Sequence, residues 1–493
     1  ASFVAWCAPD TWRRRDRLAV AMVGHRVTRA SVLSARTVRW LAKRRLKASV
    51  PSSPGFCSGK GKELTGLLKT ARGATALQEV IARHKDDFNE IHCSAALSAL
   101  ARLTRPGEAS AREGAVRQLA ARVQDLVPDL QPRALANILW ALARLRDVGH
   151  AGGGGGGGGR DGVSCDMQLG ERSGGGSDGL VPTLVGRAGA QLGSFNSQDL
   201  SLTLWALATL QHDPGDAFLQ RIARAASRAA PLAGPQSLAN CLWAFGTLAY
   251  CPSAEVLQSF VRASERKLHA FEPQHLANSL WAFSKLSHHP GGALLNASVE
   301  QAKRTIRNFT PQNISNSLTA YTQLSFRPSE DFLSIAAATS TPRLGEFTPQ
   351  NLSNCLCAFV KQSFLPDQDF LTGLEHETAR RAADFSPRDS ANSLWAYAVI
   401  SQQPGELCLR ALATSVQQSL HSFNPQEMTT VLWALAQLGF PLGRPFLSTC
   451  AYEFRQKAAD FSPQDLSMGA WACAYVSYDA RPRRKSRVSH HEW

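Results

Sequence analysis

No run of about 18 uninterrupted apolar residues occurs in the chain, so no membrane-spanning helix is expected. None of its eleven cysteines belongs to a CxxC pair. Cys355 and Cys357, two residues apart, fall on diverging sides of a helix, and the cysteines read as small buried packing residues of a reducing compartment. There is no HExxH, the thirteen histidines are scattered, and no Ser/His/Asp or Cys/His grouping stands out. Neither an enzymatic activity nor a metal or cofactor is therefore expected. Gly59-Lys-Gly-Lys62 and Gly152–Gly159 lack the preceding strand and the following Gly-Lys-Ser/Thr of a phosphate-binding loop. Acid is nearly missing from both ends: residues 1–62 hold 14 Lys/Arg against 2 Asp/Glu, and residues 481–493 hold 5 against 1. These ends carry +12 and +4 of the formal +15, so the body between them stands at −1. Net charge thus gives no argument for nucleic-acid binding by the body, where a cationic surface requires local segregation.

What the body does have is a phrase returning every 38 residues. Phe271-Glu-Pro273-Gln274-His-Leu276-Ala-Asn278-Ser-Leu280-Trp281-Ala282 recurs from Phe309 and again from Phe347. The proline column runs Pro235, Pro273, Pro311, Pro349, Pro387, Pro425 and Pro463, with Ser197 in register before it. Self-similarity at one fixed period predicts an all-α fold, an α-solenoid of stacked helix-turn-helix units. About ten units are read over 63–480, between a basic arm at 1–62 and a basic tail at 481–493. A degenerate copy starts at Phe88 and a clear one at Gln131-Pro132. Pro132 and Ser197 are 65 residues apart, 27 more than the period, and the excess coincides with the glycine runs. A flexible loop at 148–178 is expected to bulge from between two helices there.

Each unit reads as two helices. Thr310, Thr348, Ser386, Asn424 and Ser462 can cap the first helix ahead of a proline at its first position. The second starts near another column, Pro214 to Pro404, and carries Leu219, Leu257, Leu295, Leu333, Leu371, Leu409 and Leu447 in its core register. A Phe column, Phe271 to Phe461, links units. Around the first helix, Leu276, Leu280, Phe283 and Leu286 form a wide apolar arc, as expected with neighbours on two sides. The opposite arc holds Gln274, His275, Asn278, Ala282 and Lys285. Trp140, Trp205, Trp243, Trp281, Trp395, Trp433 and Trp471 share one register, read as core between units, with a base-stacking platform as the alternative.

The phrase Phe-x-Pro-Gln-x-Leu-x-Asn-x-Leu-Trp-Ala in a 38-residue helix pair resembles the octotricopeptide repeats, over about Phe88 to Tyr475. The resemblance implies single-stranded RNA binding in a mitochondrion or chloroplast, governing the processing, stability or translation of transcripts. Members of the wider group also sit in organelle ribosomes or carry a C-terminal RAP domain; no RAP domain is read after Tyr475. The alternative is a structural or scaffold protein, such as a ribosome-associated subunit, holding a protein or folded RNA. The basic, acid-poor residues 1–62 have the composition of a transit peptide, or else of a disordered arm that touches nucleic acid.

Three sets of residues are candidate RNA contacts. Arg228, Arg266, Arg304 and Arg380 share one register near the end of the second helix, and Lys267, Arg343, Arg381 and Lys457 share the next. Stacking would turn them into lines suited to phosphates, or they complement helix C-termini. A second column, Ser237, His275, Asn313, Asn351, Asp389 and Glu427, varies as a base-reading code would, or merely caps helices. A third, Asn137, Asn240, Asn278, Asn316, Asn354 and Asn392, is read as an amide ladder between units, or as a reader of base edges. Four residues beyond it stands an alanine in every copy, Ala141 to Ala472, which implies close approach of something there.

Overall fold

The computed structural model describes residues 59–102, 108–150, 179–400 and 403–479. All 21 described helices are α-helices joined by short loops and 3-10 turns, with no strand among the described residues. A lead-in helix α1 (Gly59–Thr70) precedes alternating second and first helices of the repeats. The first helices are α3 (Glu90–Arg102), α5 (Pro132–His150), α7 (Ser197–Thr209), α9 (Pro235–Thr247), α11 (Pro273–Lys285), α13 (Pro311–Gln323), α15 (Pro349–Lys361), α17 (Pro387–Val399), α19 (Pro425–Gln437) and α21 (Pro463–Asp479). The second helices are α2 (Ala74–His84), α4 (Ala109–Leu126), α6 (Leu180–Gln191), α8 (Asp216–Ala229), α10 (Ala254–Lys267), α12 (Gly292–Thr305), α14 (Glu330–Ser340), α16 (Gln368–Arg380), α18 (Glu406–Ser419) and α20 (Arg444–Gln456).

Each first helix packs on the next in an unbroken series from α3 to α21, so the chain is an α-solenoid. The described residues from Lys62 on form one compact unit. The expected boundary after residue 62 falls within α1 rather than before it. Of the expected loop at 148–178, residues 148–150 finish α5, and 151–178 lie outside the described residues. The arm up to residue 58 and the tail from 480 also lie outside them.

Local chemistry repeats with the period. Thr310, Thr348, Ser386, Asn424 and Ser462 accept the N–H of the residue three positions on, as the capping pattern predicts. The Leu register of the second helices is buried from Leu219 to Leu409, and only Leu447 in α20 is half-buried. Every Phe of the linking column is buried. First helices end in a device the sequence conceals. Gln211, Ala249, Ser287, Ser325 and Ser363 take positive φ between 51° and 53°, and Gly439 takes 64°. The next N–H reaches back to the final turn, as in His288 to Phe283 O (3.0 Å) and Phe326 to Tyr321 O (3.0 Å). This is a Schellman close, made here mostly without the usual glycine.

The two layers differ in closeness. First helices contact their neighbours along their lengths, whereas second helices meet more sparsely and largely through the 3-10 turns. Gly246 in α9 shows how near the first helices come: a Cβ there would lie 3.1 Å from the Trp281 ring and 3.4 Å from Ala282 Cα in α11.

Candidate nucleic-acid interface

The alanine column explains that approach. Ala282 and its equivalents are buried against the neighbouring first helix and do not belong to a solvent-facing arc. The small side chain is required by helix-on-helix contact, not by a ligand.

The second-helix cations divide into two kinds. Lys267 Nζ donates to the carbonyls of Pro231 (2.9 Å) and Ala233 in the preceding repeat. Arg343 Nη1 reaches Phe309 O at 2.9 Å, Arg381 donates to Phe347 O, and Lys457 Nζ reaches Phe423 O at 2.8 Å. Where this register holds Thr305, Gln301 Nε2 substitutes with a bond to Phe271 O at 2.9 Å. At Lys267, Arg343, Arg381 and Lys457 the column is therefore a clamp from the end of a second helix to the carbonyls ahead of the preceding first helix. The other column is exposed: Arg228 and Arg266 point outward, Arg304 bonds Gln301 Oε1 at 2.7 Å, and Arg380 pairs with Glu377 at 2.7 Å. That hydrogen bond holds the Glu377 carboxyl below its usual range.

The variable column sits inside the caps. Asn313, Asn351 and Asp389 are buried, while Ser237, His275 and Glu427 are half-buried. Glu427 accepts the N–H of Asn424 (3.0 Å), Ser386 donates to Asp389 (2.6 Å), and His275 Nδ1 accepts the N–H of Glu272 (3.3 Å). Burial pushes the His275 pKa below its ordinary value, with partial opposition from Glu272. Asn351 also reaches the preceding repeat through Ser315 Oγ at 3.0 Å. Capping accounts for His275, Asn351, Asp389 and Glu427.

The asparagine ladder does not form. Asn137, Asn240, Asn278, Asn316, Asn354 and Asn392 are half-buried, and among the described residues none of these amides makes a hydrogen bond. Inter-repeat bonds run one position away instead, as from Ser353 Oγ to Asp389 O at 3.1 Å.

These asparagines belong to a stripe that sequence reasoning did not assemble. Residues at i, i+4, i+7 and i+11 of a helix share a face; in α11 they are Gln274, Asn278, Trp281 and Lys285. The tryptophans are half-buried, and Trp471 is 43% exposed, so this register is a surface as well as a core one. Trp205 and Trp243 lie 6.4 Å apart between centroids. Lys285 lies 6.0 Å from the Trp281 ring, and Lys361 lies 5.4 Å from that of Trp395. Over the ten repeats, these four positions hold six cations, namely Arg102, Arg133, Arg144, Lys285, Lys361 and Arg388, and no acid. A groove of about 920 Å³ runs along the stripe from α3 to the start of α11, lined among others by Arg133, Asn137, Trp140, Gln236 and Asn240 and, off the four positions, by Glu272 and His275. The spacing i, i+4, i+7 was available in the sequence. The signal was masked because Trp beside Leu reads as core.

No group of three or more His, Cys, Asp or Glu side chains arranged to hold a metal occurs among the described residues. No described helix is long and apolar enough to cross a membrane.

With this geometry in view, comparisons with known proteins add one family. The model described as "Tbc2 translation factor, N-terminal domain" matches residues 127–327, from the 3-10 turn after α4 into the turn after α13. This stretch of helical repeats is thus similar to part of a translation factor. No curated protein matches the chain. Among solved structures, "Homology model of the full-length AP-3 complex in an intermediate open conformation" is 12% identical, covering 90% of this chain and 88% of that one at a TM-score of 0.26. So loose an overlay carries no argument about fold or partner.

Proposed function

We propose that this chain is an RNA-binding helical-repeat protein of a mitochondrion or chloroplast, acting in translation or in transcript processing or stability. Single-stranded RNA lies along the first-helix groove, with about one nucleotide facing each repeat, as in other repeat readers of RNA. The observation that carries this reading is the acid-free stripe of unbonded amides, half-exposed indoles and cations. Indole faces stack on any base, amides meet base edges, and cations attract phosphates. The similarity of residues 127–327 to a translation-factor family supports it, as does the octotricopeptide resemblance. No catalytic role is assigned to any residue. Of the exposed apolar side chains, Leu67, Leu232, Leu365 and Leu407 are spread along the chain and only Leu466 and Trp471 share a helix, which does not favour a protein partner.

The test is fluorescence anisotropy of the full chain with a random single-stranded RNA pool across a salt series. Saturable binding that weakens as salt rises, and is lost when Arg133, Lys285 and Lys361 become Glu, is expected. No binding at low salt, or binding indifferent to those changes, would overturn the groove as an RNA site. Fusing residues 1–62 to a fluorescent protein tests the compartment, since a cytosolic signal contradicts import.

A further inference from the structure

The stripe is not uniform. Trp140, Trp205, Trp243 and Trp281 occupy the ring position in four successive first helices, and Trp395, Trp433 and Trp471 occupy it in the last three. Between these blocks, α13 and α15 put Thr319 and Cys357 at that position. Thr319 leaves its hydroxyl buried without a partner. The Cys357 thiol donates to Asn392 O at 3.2 Å, and burial pushes its pKa up to about 12. Neither offers a face on which a base can stack. The cation Lys361 at the end of α15 leans away, onto the Trp395 ring of the next block. On the same helix face α13 and α15 are therefore almost wholly amide: Gln312 and Asn316, then Gln350 and Asn354. Among the described residues none of these four side chains is hydrogen-bonded.

We infer that the track has two stacking blocks flanking a two-repeat reading window, and that base identity is sensed chiefly at the two adjacent nucleotides facing α13 and α15. The inference rests on the RNA reading given above. The reason is the difference between the two kinds of contact. Stacking on an indole is strong but indifferent to sequence, because every base has a π-face. An amide has both a donor and an acceptor, so it pairs well with one base edge and poorly with another. In the blocks a nucleotide is held by its face whatever its edge. In the window it is held by its edge or scarcely at all. A cation would add affinity without discrimination, and the window has none of its own directed at it.

The experiment uses the full chain and RNAs enriched from a random single-stranded pool, scanned first with base swaps and then with abasic positions. Two adjacent positions are expected where a base swap weakens binding by about fivefold or more, the lower end of a good edge contact. Around them, swaps should matter little, whereas each lost base costs about fivefold or more through stacking. Asn316→Ala with Asn354→Ala should flatten the two-position preference and leave the outer profile intact. Thr319→Trp should do the reverse, raising affinity for all sequences while erasing preference at one position. Circular dichroism of each variant checks the fold, and the wild-type scan alone decides the case should a variant unfold. Preference spread evenly, or a focused preference unmoved by the asparagine changes, overturns the window but leaves RNA binding standing. Failure of any RNA in the pool to bind overturns the RNA reading itself.

Discussion

Lys267→Met separates the structural and ligand roles of the second-helix cations. Lys267 Nζ lies 2.9 Å from Pro231 O and also donates to Ala233 O, joining the end of α10 to the turn before α9. Methionine keeps most of the aliphatic stem and its packing, and removes only the ammonium. Hydrogen bonds from a charged donor contribute about 1.5–3 kcal/mol each when buried. Lys267 is half-buried, so solvent can replace part of what is lost, and about 2 kcal/mol in total is the reasonable expectation. In a repeat array that energy belongs to one interface between neighbours. Urea unfolding should show a lower midpoint, and hydrogen exchange should quicken in α8 and α10 before α16 or α18. A change under about 0.5 kcal/mol, the range of ordinary surface substitutions, would refute the clamp. If RNA affinity fell instead while stability held, the ammonium would be a phosphate contact after all.

Other consequences can be measured with the same protein. Leu257, 1% exposed in α10, should lose about 2–5 kcal/mol on change to Ala through the cavity left behind; a smaller loss in urea titration would mean that the site collapses. Ser325 holds φ 53°, so Ser325→Gly should raise stability by about 0.5–1 kcal/mol, and a lower melting temperature would show that the serine side chain matters there. His212, His275 and His288 all have pKa values lowered by burial from 6.5. Unfolding raises their proton affinity, so stability is full above 6.5 and lost as pH falls through the lowered folded values. Melting temperatures stepped down in pH should therefore fall below that point, and less steeply in His275→Asn; a flat profile would contradict it. Changing Arg228 and Arg266 to Glu should weaken RNA binding less than the same change at Arg133 and Lys285, and the opposite order would move the phosphate path to the second-helix edge.

Much of the fold was legible because a solenoid repeats its instructions. One period places the caps, the prolines, the Leu column and the Phe link, and the structure follows that period except at Leu447, which is half-buried. The positive-φ closures were not legible, since Gln211, Ala249 and Ser287 are not residues that announce a left-handed turn. Their sign was a periodic column of small or polar residues followed by a ring or His. The roles of individual polar columns were harder still. A column of Lys and Arg looks alike whether it faces phosphates or carbonyls one repeat away, and only Lys267, Arg343 and Lys457 in place reveal the second. An asparagine ladder and an asparagine stripe also have the same spelling.

The body's near-zero charge follows from the same architecture and does not count against a phosphate-binding groove. Acids in this fold have positions that need them: first turns, where Asp389, Glu427 and Asp465 close caps, and second helices, where Glu377 and Glu453 pair with clamp cations. Each of those positions lies off the i, i+4, i+7, i+11 face of the first helices. Capping thus keeps negative charge off that face, even though the cap residue Glu272 lines the groove beside it, and cations can collect on the face without any excess in the total. The segregation is enforced by helix chemistry in every repeat, so a single Glu placed at Gln274 or Gln312 should weaken RNA binding more than its one unit of net charge would elsewhere. The same Glu at an exposed second-helix site, such as Gln258, supplies the matched control. Equal effects at the two places would mean that bound RNA senses only the protein's total charge, and that the face has no special part in holding it.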